Sequence, residues 1–148
     1  MTVAARRRGS TVSGMDHDEM RRRVRDARVA HLATVTSSGR PHLVPCCFAL
    51  AGEVVYSAID AKPKSTIAVR RLANLRANPY AALLVDHYSE DWSTLWWIRV
   101  DGRGRVLDGG AERAAAIGVL AEKYPVYLAQ PPPGAVVAID IVDWRSWP

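Results

Sequence analysis

Cysteine is scarce in this chain of 148 residues: there are two, the neighbours Cys46 and Cys47. Adjacent cysteines have poor geometry for a mutual disulfide, and two thiols are too few for a zinc site. Both read as reduced, buried packing residues of an apolar run, which suits a cytoplasmic protein. No apolar run approaches the ~20 residues of a membrane span, and the first residues lack the apolar stretch of a secretory signal, so a soluble protein is expected. Internal repeats are missing too. So is any pairing of a nucleophile with a base, or of histidine, cysteine and carboxylate at metal spacing, and no catalytic or metal-binding residue is named. With 49% hydrophobic residues the chain is large enough for a single core.

The most telling absence is local. Between Lys62 and Arg76 no acidic residue occurs, whereas Lys62, Lys64, Arg70, Arg71 and Arg76 give that stretch a charge equal to the whole chain's formal +5. Everything else sums to zero. Lys62-Pro-Lys-Ser-Thr lies between a strand-like run and a helix-like run, so two ammonium groups and two hydroxyls meet a helix N-terminus. The first N–H groups of a helix have no intrahelical acceptor and stand at the positive end of its dipole, which suits a phosphate. Two readings stand here. Ser65 is an N-cap beneath a solvated basic face, or the segment is an anion site, and the lysine pair tilts the balance to the second.

Residues 1–14 differ from the rest, with Arg6-Arg7-Arg8 among Gly, Ser and Thr, and are expected to form a disordered tail ahead of one domain over residues 15–148. Without those three arginines the net charge falls to +2, so a pI near 9.6 is weak evidence for a nucleic-acid partner. Interleaved surface aromatics and a recognisable motif are also lacking, and no specific nucleic acid is expected.

From Asp16 the pattern becomes helical, with Glu19 completing a capping box and Met20, Val24 and Ala27 at helical spacing, which predicts a helix to about Arg28. Strands are expected over Val29 to Thr36, Pro41 to Leu50 and Glu53 to Ile59, a meander joined at Ser37-Ser38-Gly39-Arg40 and Ala51-Gly52. A helix follows over Ile67 to Ala77, ended by Asn78-Pro79, then strands at Tyr80 to His87 and Leu95 to Leu107, where Gly102 and Gly104 suggest a bulge or bend. Ala111 to Tyr124 reads as a helix. The stiff Pro131-Pro132-Pro133-Gly134 loop leads to a last strand, Ala135 to Val142. Six strands joined largely by short turns favour an antiparallel sheet curled into a barrel.

The order Ala30-His-Leu-Ala-Thr-Val, Gly39-Arg-Pro-His-Leu-Val-Pro, Val55-Tyr-Ser, Lys62-Pro-Lys-Ser, Arg71-Leu-Ala-Asn-Leu and Asn78-Pro resembles the pyridoxamine 5'-phosphate oxidase-like split-barrel proteins. Within them it is most similar to the actinobacterial branch that uses coenzyme F420, a deazaflavin. The segment from Val85 to Val100 is similar to one subgroup of that branch. The resemblance spans Met15 to Trp147. It implies a mainly β, six-stranded antiparallel split barrel with flanking helices, forming a homodimer with cofactor sites at the interface. It also implies that the cofactor phosphate lies against Lys62, Lys64, Ser65 and Thr66, with Arg71 as a longer-range partner. The ring system would lie along His42, Val44, Pro45 and Cys46, with Ser57 and Ala58 lining the ribityl or phosphate side and Trp96 and Trp97 approaching the site. The implied reaction is hydride transfer from reduced coenzyme F420 to an unsaturated or carbonyl-containing small molecule. Flavin mononucleotide is the competing cofactor, and a non-catalytic binding protein the competing role.

Judged as residues alone, His42 at a strand start and the Asp86-His87 pair suit structural roles better than acid–base ones. Trp96 and Trp97 point to opposite faces of a regular strand, so only one can fill a barrel.

Overall fold

The computed structural model describes residues 14–59 and 66–148, and the expected tail lies outside them apart from Gly14. Helix α1 (His17–Asp26) begins where the capping pattern puts it, since the Asp16 carboxylate accepts from the Glu19 N–H at 2.8 Å. Glu19 then pairs with Arg23 one turn on, at 2.7 Å, and Val24 anchors the helix in the core.

Seven strands form one antiparallel sheet: β1 (Ala30–Val35), β2 (Pro41–Cys46), β3 (Ala49–Ala51), β4 (Val54–Ala58), β5 (Tyr80–His87), β6 (Trp96–Leu107) and β7 (Val136–Trp147). The spatial order is β2-β1-β5-β6-β7-β4-β3. Its two edge strands are joined in sequence by Cys47 and Phe48 alone, so Cys46 and Ala49 lie within roughly 11 Å, three Cα steps of 3.8 Å. The sheet therefore has to roll up, and the barrel is split where one long strand is cut. That cut accounts for seven strands in place of six.

Cys46 is buried as expected, but Cys47, turned outward at the break, is exposed. Side chains satisfy the backbone there. Ser57 donates to the Cys47 carbonyl at 2.8 Å, while the Tyr124 hydroxyl accepts from the Phe48 N–H and is within 3.1 Å of the Phe48 carbonyl. The turns before β2 and β4 use Gly39 at φ +85° and Gly52 at φ +58°, conformations that favour glycine. Phe48, Leu32, Leu83, Ile98, Val100 and Ile139 are among the residues filling the barrel.

Helix α2 (Thr66–Ala77) packs on the inner side, sending Leu75 into the barrel core. A second cluster, with Ala116, Leu120, Ala58 and Val136, lies beneath α3 (Gly110–Lys123). A one-turn helix, α4 (Val126–Ala129), precedes the proline loop and was not expected. The last strand runs five residues past its expected end because a bulge opposite Asp101 and Gly102 lets it turn and continue.

Arg105 ties α3 to the sheet. Its guanidinium forks onto Glu112 at 2.8 Å twice and onto Asp140 at 2.6 and 2.9 Å, and Tyr56 donates to Glu112 at 3.0 Å. These hydrogen bonds, Arg105's first, hold the Glu112 carboxyl at about 2. A carboxyl lowered on folding from its ordinary 4.5 contributes stability that is complete above 4.5 and lost as pH falls towards 2. Melting temperatures of the wild type should therefore fall more steeply across that window than those of Glu112→Gln. Parallel curves would remove this residue from the acid response.

Candidate cofactor site

Strand alternation divides the expected site residues between two faces. Along β2, His42, Val44 and Cys46 point inward, whereas Pro45 points outward with Leu43. Ser57 on β4 also faces the barrel, but Ala58 turns beneath α3. Trp97 lies on the outer face. Trp96, at the end of the same strand, packs partly against the core, stacks on His87 with ring centroids 6.2 Å apart, and receives the Arg23 guanidinium 4.8 Å above its ring. Lys62, Lys64 and Ser65 lie outside the described residues, and Thr66 opens α2.

Of the inward group, Cys46 and Ser57 meet at the break. Ser57 hydrogen-bonds the Cys46 thiol and Arg71 stands close enough for its charge to act on it; burial pushes the thiol up against both influences. Arg71 itself is only 9% exposed, and its Nε is buried without a hydrogen-bond partner among the described residues. No carboxylate pairs with it there. Its neighbours on the helix differ: Arg70 is exposed and Arg76 lies 3.4 Å from Asp108. A buried guanidinium without a counter-charge is costly, and among the described residues none faces Arg71.

One turn along α2, Asn74 donates to Thr34 at 3.1 Å, and Thr34 faces His42 across the β1–β2 ladder. His42 Nδ1 is a second buried nitrogen without a partner among the described residues. The third is Lys123 Nζ, 3.9 Å above the Phe48 ring; burial first, then Arg28, draws its pKa down to about 8. Arg71 and Lys123 both stand near enough to Cys46 for their charges to act on its thiol, which gives the break a positive character.

The outer face carries a cleft of about 520 Å³ between β1, β2, β5, β6 and β7. His31, Leu43, Leu84, Trp96, Trp97 and Trp147 line most of it, with Asp86 and Arg99 at its polar margin. Leu43 and Trp147 are 68% and 49% exposed. His31, Leu43, Arg99 and Trp147 were not among the expected site residues. The signal for His31 and Leu43 was the two-residue period, which sets both on the face away from the core. For Trp147 it was hidden by the bulge at the end of β7.

Between the faces runs the edge of β2, whose outward N–H and C=O groups have no strand partner among the described residues. Among the described residues no cluster of side chains suits a metal ion, and no helix is long and apolar enough to cross a membrane.

Known proteins share this architecture. A FAD-binding protein from Mesorhizobium loti is 22% identical, with a TM-score of 0.67 over 89% of this chain and 94% of that one. The haem storage protein HutZ of Vibrio cholerae is 18% identical, with a TM-score of 0.66 over 88% and 89%. An F420 reductase is 22% identical, with a TM-score of 0.57 over 79% and 88%. At such identities the likeness is one of fold. No curated protein matches the chain. The family model described as pyridoxamine 5'-phosphate oxidase matches residues 16–148, nearly the whole of the described fold, and the chain belongs to that family.

Proposed function

We propose that this protein is a cytoplasmic oxidoreductase that binds coenzyme F420, with flavin mononucleotide as the alternative. The observation that carries the reading is Arg71, a nearly buried guanidinium without a counter-charge among the described residues, one turn into the helix that Lys62, Lys64, Ser65 and Thr66 precede or begin. A phosphate there would satisfy Arg71, the lysines and the first N–H groups of α2. Ser57 and Cys46 would border the same end. The open edge of β2, from His42 to Cys46, offers backbone donors and acceptors to a flat heteroaromatic ring, and the Trp97 side supplies apolar walls.

When bound, the cofactor supplies the carbon that gives up a hydride to an unsaturated or carbonyl-containing small molecule. The chain's own part is to hold the phosphate, orient the ring along β2 and exclude water, which needs no acid–base dyad. A homodimer with its sites at the interface completes the reading, because the exposed apolar outer face of one copy gains cover from the other.

The test has two stages. Protein incubated with each cofactor and desalted should retain the long-wavelength absorbance of one of them; loss of both overturns the site. The reduced complex is then offered enones, quinones and tetrapyrroles. Oxidation of the cofactor above background supports the enzyme, and retention without oxidation makes the protein a carrier.

A further inference from the structure

The outer ends of β6 and β7 carry charges in an order that a lone sheet has no reason to adopt. In the ladder, Arg99 lies directly opposite Arg145, and Asp101 directly opposite Asp143. Like charges facing each other across two strands destabilise the pair, and exchanging positions 99 and 101 would give two favourable cross-strand pairs instead. The sheet keeps the unfavourable order and neutralises each arginine along its own strand. Arg99 reaches Asp101 at 2.9 and 3.1 Å, and Arg145 reaches Asp143 at 2.8 Å. Such exposed pairs are worth little in themselves. The result is a band of two arginines beside a band of two aspartates, and Arg99 joins them to the apolar cleft with Leu43, Trp97 and Trp147.

The geometry points to a self-complementary docking quartet whose partner is a second copy of this chain. Consider a two-fold axis lying in the plane of contact, across the strands and midway between the bands. It sets each arginine band over the partner's aspartate band, so four charges on each side are met by their opposites. The same rotation reverses strand direction while keeping the sheets aligned face to face, an ordinary packing of two sheets. It also places apolar outer surface against apolar outer surface. A partner of unrelated sequence would have to supply the same alternation by chance, whereas a second copy brings it by symmetry.

This inference rests on the proposed homodimer and adds its register. Arg99→Glu with Arg145→Glu makes both bands acidic, and Asp101→Arg with Asp143→Arg makes both basic. Either variant alone should dimerise about a hundredfold more weakly than the wild type, since opposed like charges cost several kcal/mol and each ~1.4 kcal/mol is a factor of ten. Mixed or co-expressed, the two should recover a stable one-to-one heterodimer, read by light scattering and native mass spectrometry. Co-expression also covers the case in which one variant will not fold alone. A monomeric wild type at tens of micromolar (about 10–100 µM, the range that would bracket a weak dimer) would sink the homodimer itself. A dimeric wild type whose two variants both remain dimeric alone, or fail to recover together, would sink the quartet and leave the homodimer standing.

Discussion

Arg71→Ala is expected to weaken cofactor binding by about 3 kcal/mol, more than a hundredfold in Kd, while leaving the empty protein as stable as before or more so. The first half follows from the ~1.5–3 kcal/mol of a charge-assisted hydrogen bond and from the fork geometry that lets one guanidinium make two. The second half follows from burial. A guanidinium only 9% exposed and without a paired carboxylate among the described residues contributes cost, not stability, until an anion arrives. Opposite signs for binding and stability distinguish a binding residue from a structural one, whose loss would lower both. Arg71→Lys should recover part of the affinity, because charge is kept and the fork is lost. Arg70→Ala, at an exposed position on the same helix, serves as the control and should change Kd little. Replacing Lys62 and Lys64 together should weaken binding by a similar amount. Titration by cofactor fluorescence with parallel thermal melts reads both quantities, and an unchanged Kd for Arg71→Ala removes the phosphate site from this helix.

Most of the fold was legible because local rules and global packing agree. Asp16 and Glu19 mark the first helix start, Gly39 and Gly52 the tight turns, and Asn78-Pro79 the end of α2. What escaped were features that only three-dimensional closure decides. Nothing local in Pro41 to Leu50 shows that the strand is cut at Cys47 and Phe48, since the cut is stabilised by Ser57 and by Tyr124, 76 residues from Phe48. The end of β7 was hidden because its bulge shifts the alternation by one residue, so the Trp144 to Trp147 pattern no longer continues that of Val136 to Ile141. At the site, the sequence showed a run of five basic residues and could not rank them. Burial ranks the three arginines, setting Arg71 inside, Arg70 in solvent and Arg76 beside Asp108. It likewise separates Pro45 from Val44 and Cys46, because neighbours on a strand face opposite ways.

The bulge that hid the end of β7 also carries the largest expected loss of stability. A Cβ built at Gly102 would overlap the backbone carbonyl of Asp140 and the Ile139 side chain, and a backbone oxygen in the middle of a ladder has nowhere to go. Gly102→Ala should therefore destabilise by about 3 kcal/mol, the upper part of the range for overpacking. For a domain of this size that lowers the melting temperature by roughly 6–12 °C. The damage falls on β6 and β7 together, and Asp140 is also one of the two carboxylates that hold Arg105. Loosening it should release the outer end of the α3 clamp, so the variant is expected to lose part of the acid response assigned to Glu112. Gly118→Ala is the matched control: it is exposed on α3, a Cβ there meets nothing within 4 Å, and replacing glycine by alanine in a helix stabilises by about 0.5–1 kcal/mol. The same substitution thus carries opposite signs at two glycines of one chain. Urea midpoints at constant slope would read both, and equal small shifts would mean that the sheet gives way at the bulge without cost.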